Sequence, residues 1–319
     1  MSTNAYDTPE AVQAVRDRAA ETVKAEFGGT KAKAARDAGL AESTFSAWLD
    51  GTYAGNGAVI ADKVAKWLDA RIERRSAAGA APTEPGFQDT PTAKRILQIC
   101  MQAQVLNDFA VIAGAAGIGK TTALRRYVEH NPNAWMTTME PLMRSPHALL
   151  EEIARVLGVT ERGSTRLSGA IQQRLRDRGG VLIIDEAHQL TTEAFDQLRS
   201  LHDKARVGIV AAGNIETGTR LEGAGRNPQF APLWSRVGVR RTWGKSLDGD
   251  IPMILDAWGI EGKPERDFLV QVAAKGGALR MITKCIRLAG IIASGAGETL
   301  AAAHLRAAYS QLVNGGAHD

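Results

Sequence analysis

The chain has 319 residues, of which 44% are hydrophobic and 23% charged; this is longer than an average domain and apolar enough for a core, which excludes wholesale disorder. No run of about 18 apolar residues occurs and the N-terminus has no basic segment leading into an apolar one, so a membrane span and a secretory leader are not expected and a cytoplasmic protein is. The net charge of +4 is uneven: residues 1–88 carry −1 and the remainder +5, which puts any electrostatic footprint for nucleic acid mainly in the later part.

The first 75 residues read as helical, opening on Thr8-Pro9-Glu10, a capping residue followed by proline at a first helical position. Lys31–Ala38 is a short helix, residues 39–42 a turn, and Ser43–Leu49 a second helix that Ser43 can cap; small Ala34 and Ala35 with apolar Leu40, Phe45, Trp48 and Leu49 complete a helix-turn-helix pattern. A further helix spans about Gly57–Arg75. Residues 76–88, rich in Ala, Gly and Pro, read as a flexible linker. A helix from about Pro91 to Ala103 precedes the apolar strand Phe109–Ala113, after which helical and strand-like segments alternate to about Arg241, with Val181–Ile184 and Val207–Ala212 the other clear strands. That alternation predicts an α/β fold with a parallel sheet over residues 89–248, a helical lid over 249–313 and a frayed tail at 314–319. Cys100 and Cys285 have no ligand-spaced partners and read as buried thiols; Trp48, Trp67, Trp135, Trp234, Trp243 and Trp258 read as core or interface residues.

Residues 114–121, Gly114-Ala115-Ala116-Gly117-Ile118-Gly119-Lys120-Thr121, fit GxxxxGK[ST] at every required position, after an apolar strand and before a helix starting at Thr122. Glycines let backbone N–H groups turn inward around phosphates, Lys120 neutralises β/γ oxygens, the Thr121 hydroxyl can bind Mg²⁺, and the helix adds its positive N-terminal dipole. The apolar strand 181–184 delivers Asp185 and Glu186 at its C-terminal end, where open α/β sheets bind ligands. Asp185 would hold Mg²⁺ through its water shell and Glu186 would polarise the attacking water. ATP and Mg²⁺ are therefore the expected cofactors. Asp185-Glu186-Ala187-His188 also occurs in helicases, but residues 250–319 are too few and too helical for a second RecA-like lobe; His188 reads as a local packing or hydrogen-bonding residue.

These motifs resemble those of AAA+ ATPases, and three further stretches extend the likeness. Residues 208–214 look like a strand ending in a sensor-1 residue, Asn214; residues 233–241 look like an arginine-finger segment, with Arg236, Arg240 and Arg241 competing for the role; and Gly277-Ala278-Leu279-Arg280 looks like sensor 2 on the lid. A finger supplied by a neighbouring subunit implies a homo-oligomer. The helix-turn-helix region, the P-loop, IIDEAHQL at 183–190 and the GALR segment, in this order over nearly the whole chain, are similar to the phage Mu B transposition proteins and to the TnsC and IstB regulators. That resemblance implies an ATP-dependent regulator that forms helical filaments on double-stranded target DNA and delivers it to a DDE transposase.

Sequence-indifferent DNA binding needs basic groups that reach phosphates. Arg144 in the loop at 140–146, and Arg162 and Arg166 in the loop at 160–167, are the candidates, with Lys31, Lys33 and Arg36 in the helix-turn-helix region, whose exposed Ser43, Thr44, Ser46 and Ala47 lack the bidentate groups for base reading. The alternatives are a DNA-binding loader or repressor, or a secretion-type regulatory ATPase, the last disfavoured by the absence of an apolar span.

Overall fold

The computed structural model describes residue 6, residues 8–222 and residues 235–314, which fall into two compact units, Met1–Pro82 and Thr83–Asp319. The expectations for Leu233, Trp234 and residues 315–319 lie outside the described residues.

The first unit is all-helical: α1 (Pro9–Glu26), α2 (Lys31–Asp37), α3 (Glu42–Leu49) and α4 (Gly57–Ala80). The Thr8 hydroxyl accepts from the Ala11 N–H at the start of α1, 3.3 Å, with Pro9 at the first helical position. Gly39, at φ 67°, makes the turn between α2 and α3. Helix α3 begins one residue before Ser43, with Ala41 at its N-cap and no side-chain cap, so Ser43 sits inside the first turn instead of capping it. Phe45 and Trp48 of α3 are fully buried against Ala34 and Ala35 of α2 and Val64 of α4. Helix α4 runs to Ala80, five residues into the stretch read as linker; Gly79 costs a helix about 1 kcal/mol, less than needed to stop one already propagating through alanines. Asp37 accepts from the Trp67 indole at 2.8 Å and pairs with Arg71, and these contacts hold its carboxyl below the usual carboxylate range.

The second unit opens with α5 (Pro91–Leu106), capped by Thr90. Five parallel strands follow: β1 (Phe109–Gly114), β2 (Ala134–Thr138), β3 (Val181–Asp185), β4 (Gly208–Gly213) and β5 (Val237–Trp243), in the order β2-β3-β4-β1-β5. β1, β3 and β4 are buried along their whole length, which is why they read as unbroken apolar runs. α6 (Lys120–His130), α7 (Pro146–Leu157), α8 (Ser164–Leu175), α9 (Thr192–Ala205) and α10 (Ile215–Glu222) connect the strands. Two apolar clusters form the core, one joining the sheet to α7, α8 and α9, the other joining it to α5 and α6. The segment expected to be a lid is helical: α11 (Asp250–Ala257), α12 (Lys263–Ala274), α13 (Ala278–Gly295) and α14 (Ala302–Asn314), around buried Leu269, Ile282, Ile286 and Leu305. Cys100 and Cys285 are buried free thiols, pushed by burial to about 12 and about 11. Among the described residues no helix is long and apolar enough to cross a membrane.

The lid is pinned to the core by a carboxylate. Asp250, 0% exposed at the start of α11, accepts from the Thr92 N–H at 2.9 Å, the Leu247 N–H at 2.8 Å and the Thr92 hydroxyl. Asp250→Ala strips these buried donors of their acceptor and is expected to lower stability by on the order of 3 kcal/mol. Urea unfolding measures it; a parental midpoint would mean the pin is not holding.

Candidate active site

In the strand order β3-β4-β1, the C-terminal ends carrying Asp185, Gly213 and Gly114 lie side by side, and the segments that follow them bound one cleft of 640 Å³. The loop after β1 turns through Gly117 (φ 81°) and Gly119 (φ 93°), left-handed conformations that glycine adopts without strain, and α6 begins directly at Lys120. The loop is therefore a nest of backbone N–H groups at a helix N-terminus, suited to a polyphosphate. Lys120 Nζ donates to the Gly114 and Ala115 carbonyls at 2.7 and 2.9 Å. Burial draws its ammonium below the usual lysine range; the carboxylates of Glu186 and Asp185 oppose that, and the Arg280 charge adds to it.

Asp185, 1% exposed, accepts from the Thr121 hydroxyl at 2.7 Å and from the Glu186 N–H at 2.9 Å. A carboxylate and a hydroxyl so close, beside a phosphate cradle, fit a magnesium ion held by few protein oxygens and completed by phosphate and water. Glu186 leaves β3 in a left-handed conformation, φ 53°, and lines the cleft together with Asn214, which follows β4, and with Thr122 of α6 and Arg280 of α13. The start of α13 meets the loop by backbone: the Leu279 N–H donates to the Gly117 carbonyl at 3.1 Å, one residue before Arg280.

The arginines proposed as fingers do not join this cluster. Arg236 precedes β5, at the end of the sheet level with Phe109, and pairs with Asp203 at 2.7 Å, an ion pair that holds the Asp203 carboxyl below its usual range. Arg240 and Arg241 sit in mid-strand opposite Val111 and Ile112 and are exposed. None of the three lines the cleft of its own chain. Arg144, Arg162 and Arg166 are exposed on the loops before α7 and at the start of α8. In the first unit, Lys31 pairs with Asp50, while Lys33 and Arg36 are exposed on α2.

Three contributors went unread in the sequence. Residues 84–88, assigned to the linker, line the cleft, and Phe87 lies under the Arg126 guanidinium at 5.3 Å. Trp258 lines it while packing against the apolar cluster of the C-terminal helices, and Lys284 joins Arg280 on α13. Phe87, the one aromatic in that Ala/Pro/Gly stretch, was the only available signal.

Residues 105–221 match the family described as AAA domain, and residues 235–312 match Mu B transposition protein, C terminal. The chain is 35% identical to the ATP-dependent target DNA activator B of Escherichia phage Mu, over 87% of this chain and 88% of that one. It is 34% identical to the Mu-like prophage FluMu DNA transposition protein B of Haemophilus influenzae, over 80% and 89%. The Aeropyrum pernix ORC1 protein, solved in complex with DNA, shares the fold: TM-score 0.51 at 19% identity, covering 73% of this chain and 67% of that one. With that level of identity along most of both lengths, the chain belongs to the Mu B transposition protein family and carries an AAA domain.

Proposed function

We propose that this protein is an ATPase that binds DNA with little regard for sequence, assembles into filaments on target DNA in an ATP-dependent manner, and presents that DNA to a DDE transposase. The observation that carries the reading is the convergence of Lys120, Thr121, Glu186, Asn214 and Arg280 on one cleft, with Asp185 bonded to Thr121 behind it, in a chain 35% identical to a phage protein named for ATP-dependent activation of target DNA.

The loop N–H groups at residues 115–121 and the start of α6 would hold the β- and γ-phosphates, with Lys120 at the bridging charge. Thr121 and Asp185 would hold Mg²⁺, which when bound neutralises charge on the β and γ oxygens. Glu186 would accept a proton from the attacking water while Asn214 orients it, and Arg280 would follow the γ-phosphate from the lid. Since Arg236, Arg240 and Arg241 lie outside their own chain's cleft, one of them would act in a neighbour's, so that hydrolysis depends on assembly. The exposed Arg144, Arg162 and Arg166 would contact DNA phosphates, aided by Lys31, Lys33 and Arg36, giving affinity that falls steeply with salt.

Electron microscopy with random-sequence duplex tests the reading, comparing ATP with ADP and with Lys120→Ala. Filaments that need both ATP and Lys120 are expected. Discrete particles, or no association with DNA, would remove the filament, leave the ATPase standing and move the function toward a loader, a repressor or a partner-dependent switch.

A further inference from the structure

The strand that delivers Glu186 ends in a tight reversal. Ala187–Gln189 forms a single 3-10 turn, closed by the Gln189 N–H donating to the Glu186 carbonyl at 3.0 Å and the Leu190 N–H to the Ala187 carbonyl at 3.1 Å. The turn is braced from the loop before α7, where Arg144 Nε donates to the Gln189 carbonyl at 3.3 Å and the Thr191 N–H to the Arg144 carbonyl at 3.0 Å. It also sits against the end of β4, where a Cβ on Gly213 would stand 3.2 Å from the His188 backbone nitrogen.

This turn brings the His188 ring back onto Glu186: Nδ1 lies 3.2 Å from Glu186 Oε2. The imidazole side chain is 19% exposed, the glutamate's 45%. On the far side of the ring, the Gln189 side-chain amide nitrogen is 2.9 Å from His188 Nε2. With that amide nitrogen donating, Nε2 accepts, and Nδ1 is the ring nitrogen that faces the carboxylate, at contact distance rather than in hydrogen-bond alignment. A half-exposed glutamate otherwise samples several rotamers, and only a narrow set directs an oxygen at an in-line water.

We propose that His188, oriented by Gln189, is a positioning residue for ATP hydrolysis: its ring stands against Oε2 of Glu186, narrows the rotamers that carboxylate can adopt and leaves Oε1 for the attacking water. The inference rests on the ATPase reading above and adds to it a residue that reads from sequence as a local packing or hydrogen-bonding one.

ATP turnover by the full chain with duplex DNA, together with direct binding of a fluorescent ATP analogue, tests it in the parent, His188→Ala, His188→Asn and Gln189→Leu. His188→Ala is expected to lower kcat about 10- to 100-fold, the range a slightly misplaced catalytic group loses, with KM and analogue affinity changed by less than about threefold. His188→Asn, whose amide nitrogen falls near the Nδ1 position, recovers most of that rate, and Gln189→Leu lies between. A His188→Ala kcat within about twofold of the parent overturns the proposal while the ATPase assignment stands. So does His188→Asn being as slow as His188→Ala, because a packing role alone would give that result. Absence of turnover in the parent would sink both readings together.

Discussion

Glu186→Gln is expected to bind ATP as the parent does and to hydrolyse it about 10² to 10³ times more slowly, the usual contribution of a positioned general base. The substitution keeps the shape of the side chain and leaves the Lys120, Thr121 and Asp185 contacts in place, so the phosphate cradle and the magnesium ligands persist. It removes the proton acceptor. It also removes one negative charge from the surroundings of Lys120, which favours retention of a polyanion. On DNA the consequence would be filaments that form with ATP and do not turn over. Turnover and filament lifetime, measured with duplex present, decide it: parental hydrolysis by Glu186→Gln would displace Glu186 from the catalytic role and send the search for a base elsewhere in the cleft.

The parts of this molecule that were legible in the sequence are those whose physics is local. A glycine loop between an apolar strand and a helix, or two acids at the end of a buried strand, is specified within about ten residues, and Asp185 lies where the strand Val181–Ile184 pointed. Strand β5 was harder to see because its burial is confined largely to its ends, Val237 and Trp243, with arginines between them; the segment registered as a set of basic residues. The cleft wall formed by residues 84–88 was hidden for a different reason. Ala, Pro and Gly describe a segment without regular structure, and neither flexibility nor docking follows from composition alone. What touches that wall is distant in sequence: the Arg126 guanidinium lies over Phe87, and Arg287 pairs with Glu84 at 3.8 Å. His188 is a similar case: its neighbours in sequence suggested a local packing or hydrogen-bonding role, and it is the turn that sets its ring against Glu186.

Gly117→Ala is expected to damage nucleotide binding although the motif GxxxxGK[ST] leaves that position open. The backbone there is left-handed, φ 81°, and an added Cβ would stand 1.9 Å from the carbonyl oxygen of Gly277, a backbone atom that no rotamer change can move aside. Relief requires the loop or the start of α13 to shift. Either movement breaks the bond from the Leu279 N–H to the Gly117 carbonyl and carries away Arg280, the next residue. The expected result is at least about a tenfold loss in ATP affinity and turnover, equivalent to about 1.4 kcal/mol or more at the nucleotide. Gly158→Ala supplies the contrast. It has a similar backbone, φ 68°, with nothing within 4 Å of the new Cβ, so it incurs conformational strain of about 1 kcal/mol alone. It should lower the melting temperature slightly and leave ATP binding intact. If Gly117→Ala behaved as Gly158→Ala does, losing stability without losing nucleotide, the contact between lid and loop would be a packing detail and Arg280 would reach the γ-phosphate independently of it.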